Sequence, residues 1–371
     1  MKINKINFNI IISICIFFIL STLTIYTTKQ FLKESLSNLY LKQIIFYLIG
    51  TFTAIFITFK GFNLLKKYHL LIYIGINILL LFLLIFGYPV NGSKCWLFIG
   101  PISFQPSELM KISLIITLAS FIYQFKLKKN ISLKDEFLLI LKLLIITLIP
   151  SILTFLEPDT GVVIIYFLIL FIMLILAKLN KKWYLISTLI ILFISSTFLI
   201  LYLFHNDLFI NLIGDNLFYR IDRILNWKNK TGYQLENSLI AISNSGFLGF
   251  GFNQNQVYFP EPHTDFIFTS LITNFGSLGG GFLILITIIF DATILKLATK
   301  KIKYIDKLIL IGIFIMLFYG QIQNISMTLG LLPITGIPFP FISYGGSSLI
   351  SYLFLVGLIL NINQERLKYR N

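Results

Sequence analysis

Long apolar segments recur along the whole chain, and they restrict its fold more than any other feature. A helix needs about 20 residues to cross about 30 Å of hydrocarbon. Segments of roughly that length lie at residues 8–27, 41–59, 70–88, 107–124, 137–156, 160–177, 183–204, 267–295, 308–326 and 347–363. Of the 371 residues, 57% are hydrophobic and 12% are charged, about half the charged share of a soluble domain. We therefore expect an all-α polytopic membrane protein with about ten spans, forming one domain over residues 1–371.

Basic residues are unevenly divided between the segments that join these predicted spans. With a cytoplasmic N-terminus, 20 of the 30 lysines and arginines fall on the cytoplasmic side, as the positive-inside rule requires. Both termini are then cytoplasmic, and the longest outer loop covers about residues 205–266. This topology explains the net charge of +15, so the charge does not indicate a nucleic-acid partner. The expected partners include membrane lipids. The eighth span is longer than a bilayer needs, and we expect it to tilt or to begin outside.

Acidic residues show the opposite distribution, since ten of the 15 lie at or beyond the outer ends of spans. The densest group is in residues 260–268, PEPHTDFIF, which place Glu261 and Asp265 beside His263. Ionisable groups at a membrane surface usually serve chemistry or transport. The three histidines lack the spacing of metal ligands, so we expect His263 to be a structural hydrogen-bonding group. Carboxylate chemistry is therefore expected on the outer face.

Two shorter outer segments also contain charged residues. Glu108 and Lys111 are three residues apart, so they share a helix face and either form a local ion pair or line a polar cavity. In the turn LEPDTG, Asp159 either caps the following helix or contacts a substrate. Glu157, in the same turn, has no capping role to explain it.

The long outer loop and the segment between the last two spans are also distinctive. Arg220 and Arg223 are three residues apart in the loop, where arginine forks suit either a pyrophosphate or the phosphates of lipids. Residues 331–348 contain three prolines and several glycines in apolar surroundings. Such a backbone cannot continue a helix, so it must be buried in protein or line a cavity. We interpret it as a re-entrant loop near a substrate site.

Five motifs together resemble the SEDS family of RodA and FtsW proteins. They are GPISFQPSELMK, LEPDTG, GYQLENSLIAI, PEPHTDFIF and LGLLPITGIPFPFISYGGSS, in the family's order and at roughly its spacings. The last motif is closer to RodA than to FtsW. The chain departs from the family pattern at Cys95, where an arginine is usual before Trp96, and at Asn274, where a glutamate is usual.

The resemblance implies a peptidoglycan glycosyltransferase of the bacterial cytoplasmic membrane. Such an enzyme polymerises lipid II into β-1,4 glycan strands on the outer face, together with a class B penicillin-binding protein, and a RodA-type member serves elongation and rod shape. It implies Asp265 as the catalytic residue. The substrate-binding residues that we predict are Glu261, Glu108, Lys111, Asp159, Arg223, Arg220, Lys94, Trp96 and Ser343.

The expected chemistry is an inverting transfer in which Asp265 removes the proton of the acceptor hydroxyl. The charge of the pyrophosphate needs cations, and a divalent ion, Mg²⁺ or Mn²⁺, held by Asp265 and the substrate's phosphates would also meet that need. Three alternatives remain: a division polymerase of the FtsW type, a lipid II flippase and a channel built on SYGG.

Overall fold

The computed structural model describes residues 7–32, 38–60, 62–89, 93–99, 102–204, 227, 232–254, 257–300 and 302–368. The helices in these ranges are α1 (Phe8–Thr27), α2 (Leu39–Lys60), α3 (Asn63–Lys67), α4 (His69–Phe86), α5 (Pro106–Lys126), α6 (Leu133–Leu156), α7 (Thr160–Leu176), α8 (Lys181–Phe204), α9 (Tyr233–Ser245), α10 (Ile267–Ala298), α11 (Tyr304–Thr328) and α12 (Gly346–Lys368). A short 3₁₀ helix, Thr28–Phe31, continues α1. Strands β1 (Leu97–Ile99) and β2 (Ile102–Phe104) pair antiparallel just before α5.

A helix lies over each of the ten predicted spans. Eight helices in the described ranges are long and apolar enough to cross a membrane, and α7 is an apolar helix of 17 residues. The all-α membrane fold is therefore confirmed, whereas the count of ten crossings stays a prediction. Much of the predicted outer loop, including Arg220 and Arg223, lies outside the described residues.

Helix α5 is the centre of the bundle. It contacts α4, α6, α7, α11 and α12, and most of its side chains are buried all round the helix. Pro106 occupies its first turn, where a missing N–H costs nothing. Glu108 and Lys111 lie in the first two turns of α5, so this helix brings both charges into the interior of the protein.

Helix α10 is broken in its N-terminal third, which explains why the eighth predicted span is overlong. Gly276 has φ +68°, a left-handed conformation that favours glycine, and a β-carbon there would collide with the carbonyl of Phe247. The amide of Phe250 donates to the carbonyl of Thr273, at 2.9 Å. The structure thus gives two helices joined at Gly276 where we expected one tilted or protruding span.

The segment between α11 and α12 is irregular and packed inside the protein, as predicted. The carbonyls of residues 341–343 accept hydrogen bonds from side chains of α1 and α2, namely Tyr47, Ser21 and Gln43. The ring of Phe341 stacks on Phe17 with centroids 5.5 Å apart. These three carbonyls are therefore satisfied by buried polar side chains, as irregular backbone in apolar surroundings requires.

Candidate active site

The segment before α10 is fixed by its backbone. The carbonyls of residues 263–265 each accept a hydrogen bond from another part of the chain. The donors are, in order, the backbone amide of Tyr344, the hydroxyl of Ser343 and the side-chain amide of Asn324, at 2.8, 2.7 and 2.9 Å. The re-entrant segment and α11 together hold this short stretch in place.

Asp265 lies in the middle of this arrangement, with its side chain partly buried. A β-carbon on Gly336 would lie 3.7 Å from its Oδ2, so the carboxylate faces the re-entrant segment. Burial, and secondarily the negative charge of Glu261, raise the pKa of Asp265 from its usual range to about 7. A carboxylate with this pKa is a competent base near neutral pH.

Glu261 and His263 border Asp265 on the chain. Glu261 is exposed, and its Oε2 accepts a hydrogen bond from the hydroxyl of Thr264 at 2.7 Å. The carbonyl of His263 accepts the bond from Tyr344, but its ring Nδ1 has no partner among the described residues. Burial lowers the pKa of His263, and Glu261 acts in the opposite sense. The expected structural hydrogen bonding therefore belongs to the backbone of His263 and not to Nδ1 of its ring.

Glu108 and Lys111 form a buried ion pair. Lys111 Nζ lies 2.7 Å from Glu108 Oε1, and the residues are 1% and 2% exposed respectively. The ammonium group also lies 5.5 Å from the centroid of the Tyr352 ring. Of the two alternatives from the sequence, the structure shows the ion pair, and Lys111 already has a carboxylate partner.

Asp159 caps helix α7, which is also one of the two alternatives from the sequence. Its Oδ1 accepts a hydrogen bond from the amide of Val162 at 3.2 Å, and its Oδ2 accepts one from the Gln105 side chain at 2.8 Å. Burial is the largest cause that raises the pKa of Asp159, to about 6, and the charge of Glu108 adds to it. Both oxygens of Asp159 therefore have protein partners in this structure.

Glu157 is a buried acidic residue that the predicted set left out. It is 1% exposed, and neither carboxylate oxygen has a hydrogen-bond partner in the described part of the chain. Burial, with a smaller contribution from Asp159, raises the pKa of Glu157 to about 8. The sequence did contain an indication of this role: capping of the next helix explains Asp159, and no such structural role explains Glu157 in the same turn.

The remaining predicted residues have different environments. Lys94 and Trp96 are partly buried and flank Cys95, whose thiol donates to the carbonyl of Glu157 at 3.1 Å. Ser343 has both hydrogen-bonding functions of its hydroxyl in use, because it donates to Thr264 and accepts from the amide of Phe339. Cys95 thus holds the backbone at Glu157, and Ser343 holds the backbone at Thr264, next to Asp265.

Helix α7, which Asp159 caps, and the carboxylate of Asp265 both lie close to residues 335–337 of the re-entrant segment. A β-carbon on Gly161, in the first turn of α7, would lie 3.0 Å from the carbonyl oxygen of Thr335. Gly336, the next residue, faces Asp265. The same short backbone segment therefore packs against the start of α7 and faces Asp265.

The described residues include no group of three His, Cys, Asp or Glu side chains arranged to hold a metal ion. Magnesium and manganese prefer six oxygen ligands in a near-octahedral arrangement. Asp265 could supply one or two of these oxygens. The rest would have to come from water and from the phosphates of a bound substrate.

Sequence comparisons identify relatives across almost the full chain. A family model described as cell cycle protein, covering FtsW, RodA and SpoVE, matches residues 2–368. Stage V sporulation protein E of Bacillus subtilis is 30% identical over 343 residues, 87% of this chain and 86% of that protein. The probable peptidoglycan glycosyltransferase FtsW of Buchnera aphidicola (subspecies Schizaphis graminum) is 33% identical over 340 residues, 88% and 91% of the two chains.

Solved structures show the same fold. A chain from a structure on the coordination of polymerization and crosslinking by a peptidoglycan synthase complex superposes with a TM-score of 0.79 at 23% identity, covering 98% of this chain and 99% of that one. The rod shape determining protein RodA of Thermus thermophilus superposes with a TM-score of 0.70 at 22% identity, covering 99% of each chain. The sequence relatives are named stage V sporulation protein E and FtsW, and the solved structure is named a rod shape determining protein, RodA. The comparisons therefore do not distinguish between these members of the family.

Proposed function

Because this chain belongs to the FtsW, RodA and SpoVE family, we propose that it is a peptidoglycan glycosyltransferase that polymerises lipid II. The observation that carries this proposal is Asp265. Its carboxylate is partly buried, has a pKa of about 7, and lies on a backbone held at three consecutive carbonyls. A positioned base of this kind is what sugar transfer to a hydroxyl requires.

Asp265 would act on the acceptor sugar. As its carboxylate takes the proton of the acceptor 4-hydroxyl, the oxygen attacks the anomeric carbon of the donor, and the bond from that carbon to pyrophosphate breaks. Attack from the face opposite the leaving group converts an α-linked donor into a β-1,4 product. Pyrophosphate leaves as an anion, so a strong general acid is not needed.

The charge of the departing pyrophosphate would be stabilised by cations near the outer face. Because Lys111 already forms an ion pair with Glu108, we expect it to contribute less to the binding of pyrophosphate than the sequence alone suggested. We assign a larger share of that binding to Lys94, Arg220 and Arg223. Arginine binds phosphate oxygens through two parallel N–H groups. A divalent ion bound with the substrate would supply further positive charge.

We place the reaction on the outer face of the bacterial cytoplasmic membrane. The ion pairs Lys66–Asp306 and Lys128–Asp135 lie at the helix ends opposite Asp265. The positive-inside rule assigns those lysine-rich ends to the cytoplasm. The proposed partner is a class B penicillin-binding protein, which would crosslink the strands as they form.

The decisive experiment supplies purified lipid II to the protein in detergent or in vesicles, and separates the glycan products on a gel. Asp265→Asn should abolish polymer formation while the protein remains folded. Asp135→Asn is a matched control, because Asp135 is an aspartate at the opposite helix end, and it should polymerise normally. Normal polymerisation by Asp265→Asn would refute the catalytic assignment, and transport of lipid II without polymer would support a flippase instead.

The role in elongation is a finer proposal that rests on the sequence TGIPFPFISYGGSS of the re-entrant segment. Depletion of an elongation polymerase from a rod-shaped bacterium gives round cells, whereas depletion of a division polymerase gives filaments. The division role has its own support in the FtsW names of several relatives. Cell shape after depletion therefore distinguishes the two.

A further inference from the structure

A buried asparagine on α11 connects the two walls of the candidate active site. We infer that Asn324 is a positioning residue for Asp265, which fixes the distance between the segment before α10 and the re-entrant segment. This inference rests on the proposed function. It assigns to Asn324 no contact with substrate, only control of where the base lies.

The geometry uses both hydrogens of one amide group. Asn324 Nδ2 donates to the carbonyl of Asp265 at 2.9 Å and to the carbonyl of Ile337 at 3.0 Å. Gly336, next to Ile337, is the residue that faces the Asp265 carboxylate. One planar group therefore holds both sides of the gap that contains Oδ2 of Asp265.

The chemistry of this position is specific. Asn324 is 0% exposed, and a buried amide costs free energy unless its polar atoms are bonded. Its Oδ1 has no partner among the described residues, so the side chain is not optimised for stability. Alanine and leucine have no donor, and serine has one hydrogen where asparagine has two. Of these residues, only asparagine can donate at once to the carbonyls of Asp265 and Ile337.

Loss of this amide should affect the position of Asp265 more than the fold. The carbonyl that Asn324 holds belongs to Asp265 itself, so its release frees the α-carbon that carries the base. A displacement of about 1 Å in a reacting group can lower turnover by about two orders of magnitude. A carboxylate that moves toward water also recovers an ordinary pKa, since burial is the main cause of its raised value.

The preceding residue offers a matched control. Gln323 is also buried on α11, and its Nε2 donates to the carbonyl of Pro333 in the re-entrant segment at 2.9 Å. It does not bond to residues 263–265 in the structure. Gln323→Ala therefore removes a comparable amide bond from the same helix to the same segment without releasing Asp265.

The experiment measures polymerisation of lipid II by Asn324→Ala and Gln323→Ala between pH 5 and pH 9, after the folded fraction of each has been matched. In the wild type, turnover should fall as the pH drops through the pKa of Asp265, near 7. We expect Asn324→Ala to lower kcat about tenfold or more with a smaller change in KM, and to move this acid limb to lower pH. Gln323→Ala should keep the acid limb where it is.

Two outcomes would overturn the inference. One is an Asn324→Ala variant that loses no more kcat than Gln323→Ala, and the other is an acid limb that does not move. If Asn324→Ala does not fold, Asn324→Ser replaces it, because serine retains one donor and should give a smaller shift in the same direction. A wild-type protein that makes no polymer, or an active Asp265→Asn variant, would refute the proposed function instead.

Discussion

One α-hydrogen of Gly336 points toward the carboxylate of Asp265, so that a β-carbon in its place would lie 3.7 Å from Oδ2. Gly336 also has φ +71°, a conformation that costs other residues about 1–2 kcal/mol. This glycine thus combines a backbone requirement with room for water or substrate beside the base.

Gly336→Ala should therefore lower activity and change its pH dependence. The added methyl group displaces water from Oδ2, which disfavours the charged form and raises the pKa of Asp265 further. Because the base must be unprotonated, the acid limb of kcat/KM should move to higher pH. The measurement is a pH–rate profile with lipid II.

Gly281→Ala is the control for this substitution, since nothing lies within 4 Å of a β-carbon at Gly281. It should leave the profile unchanged. An acid limb that moves to lower pH in Gly336→Ala would contradict the position that we give to the carboxylate.

Glu261→Gln should move the acid limb in the opposite direction. The charge of Glu261 is the smaller of the two causes that raise the pKa of Asp265, and burial remains when it is removed. The limb should therefore move to lower pH but stay above the ordinary range of an aspartate. Below pH 7, the Glu261→Gln variant should therefore keep a larger fraction of its maximal turnover than the wild type does.

The control for Glu261→Gln is Glu236→Gln, an exposed glutamate on α9. Salt provides a second check, because screening should weaken the effect of an exposed charge such as Glu261. A profile that is identical in Glu261→Gln and the wild type would mean that burial alone sets the pKa of Asp265.

Lys111→Met should mainly reduce stability. The change leaves Glu108 as a buried carboxylate without its cation, and breaking a buried pair in this way costs about 3–5 kcal/mol of unfolding free energy. The double variant Glu108→Gln with Lys111→Met should recover most of the loss, because it removes both charges. Thermal unfolding of the purified protein measures all three.

Lys128→Met is the corresponding control at the surface, where the Lys128–Asp135 pair is exposed and should contribute about 0–1 kcal/mol. Equal losses from Lys111→Met and Lys128→Met would contradict the buried pair. A Lys111→Met variant of normal stability that had lost turnover would instead favour the substrate-binding role that the sequence predicts for Lys111.

The sequence predicted the helices and Asp265, but not the contacts that hold Asp265. Apolar segments of about 20 residues identify membrane helices because the bilayer sets their length. No such rule says which carbonyl a buried amide will meet, and Asn324 and Asp265 are far apart in the chain. The sequence indicated only that a side-chain amide inside an apolar helix costs free energy to bury unless it is hydrogen-bonded, so that Asn324 should have a partner.

The break at Gly276 was only partly predictable for a similar reason. Glycines are frequent in this part of α10, but the residue that bends depends on the loop packed against it. Phe247 and Phe250 supply those backbone contacts. At position 274 the family usually has a glutamate. Here the side chain of Asn274 donates to the hydroxyl of Thr27 and accepts from the backbone amide of Asn253, so a neutral amide makes the hydrogen bonds beside the break in α10.

Tyr47→Phe should lower turnover although Tyr47 is remote from Asp265 in sequence. The hydroxyl of Tyr47 donates to the carbonyl of Phe341 in the re-entrant segment, and its loss leaves that buried carbonyl without this donor at a cost of about 1–3 kcal/mol. The same segment supplies Ser343 and Tyr344, which bond to the backbone beside Asp265. A looser segment should therefore reduce kcat as well as stability.

Tyr73→Phe separates the two effects. The hydroxyl of Tyr73 also donates to a buried backbone carbonyl, that of Ile146 at 2.7 Å, but between α4 and α6. It should lower the unfolding temperature by a similar amount and leave kcat nearly unchanged. If Tyr47→Phe and Tyr73→Phe reduce kcat equally, the support of Asp265 does not pass through the re-entrant segment, and α11 with Asn324 would be its main source.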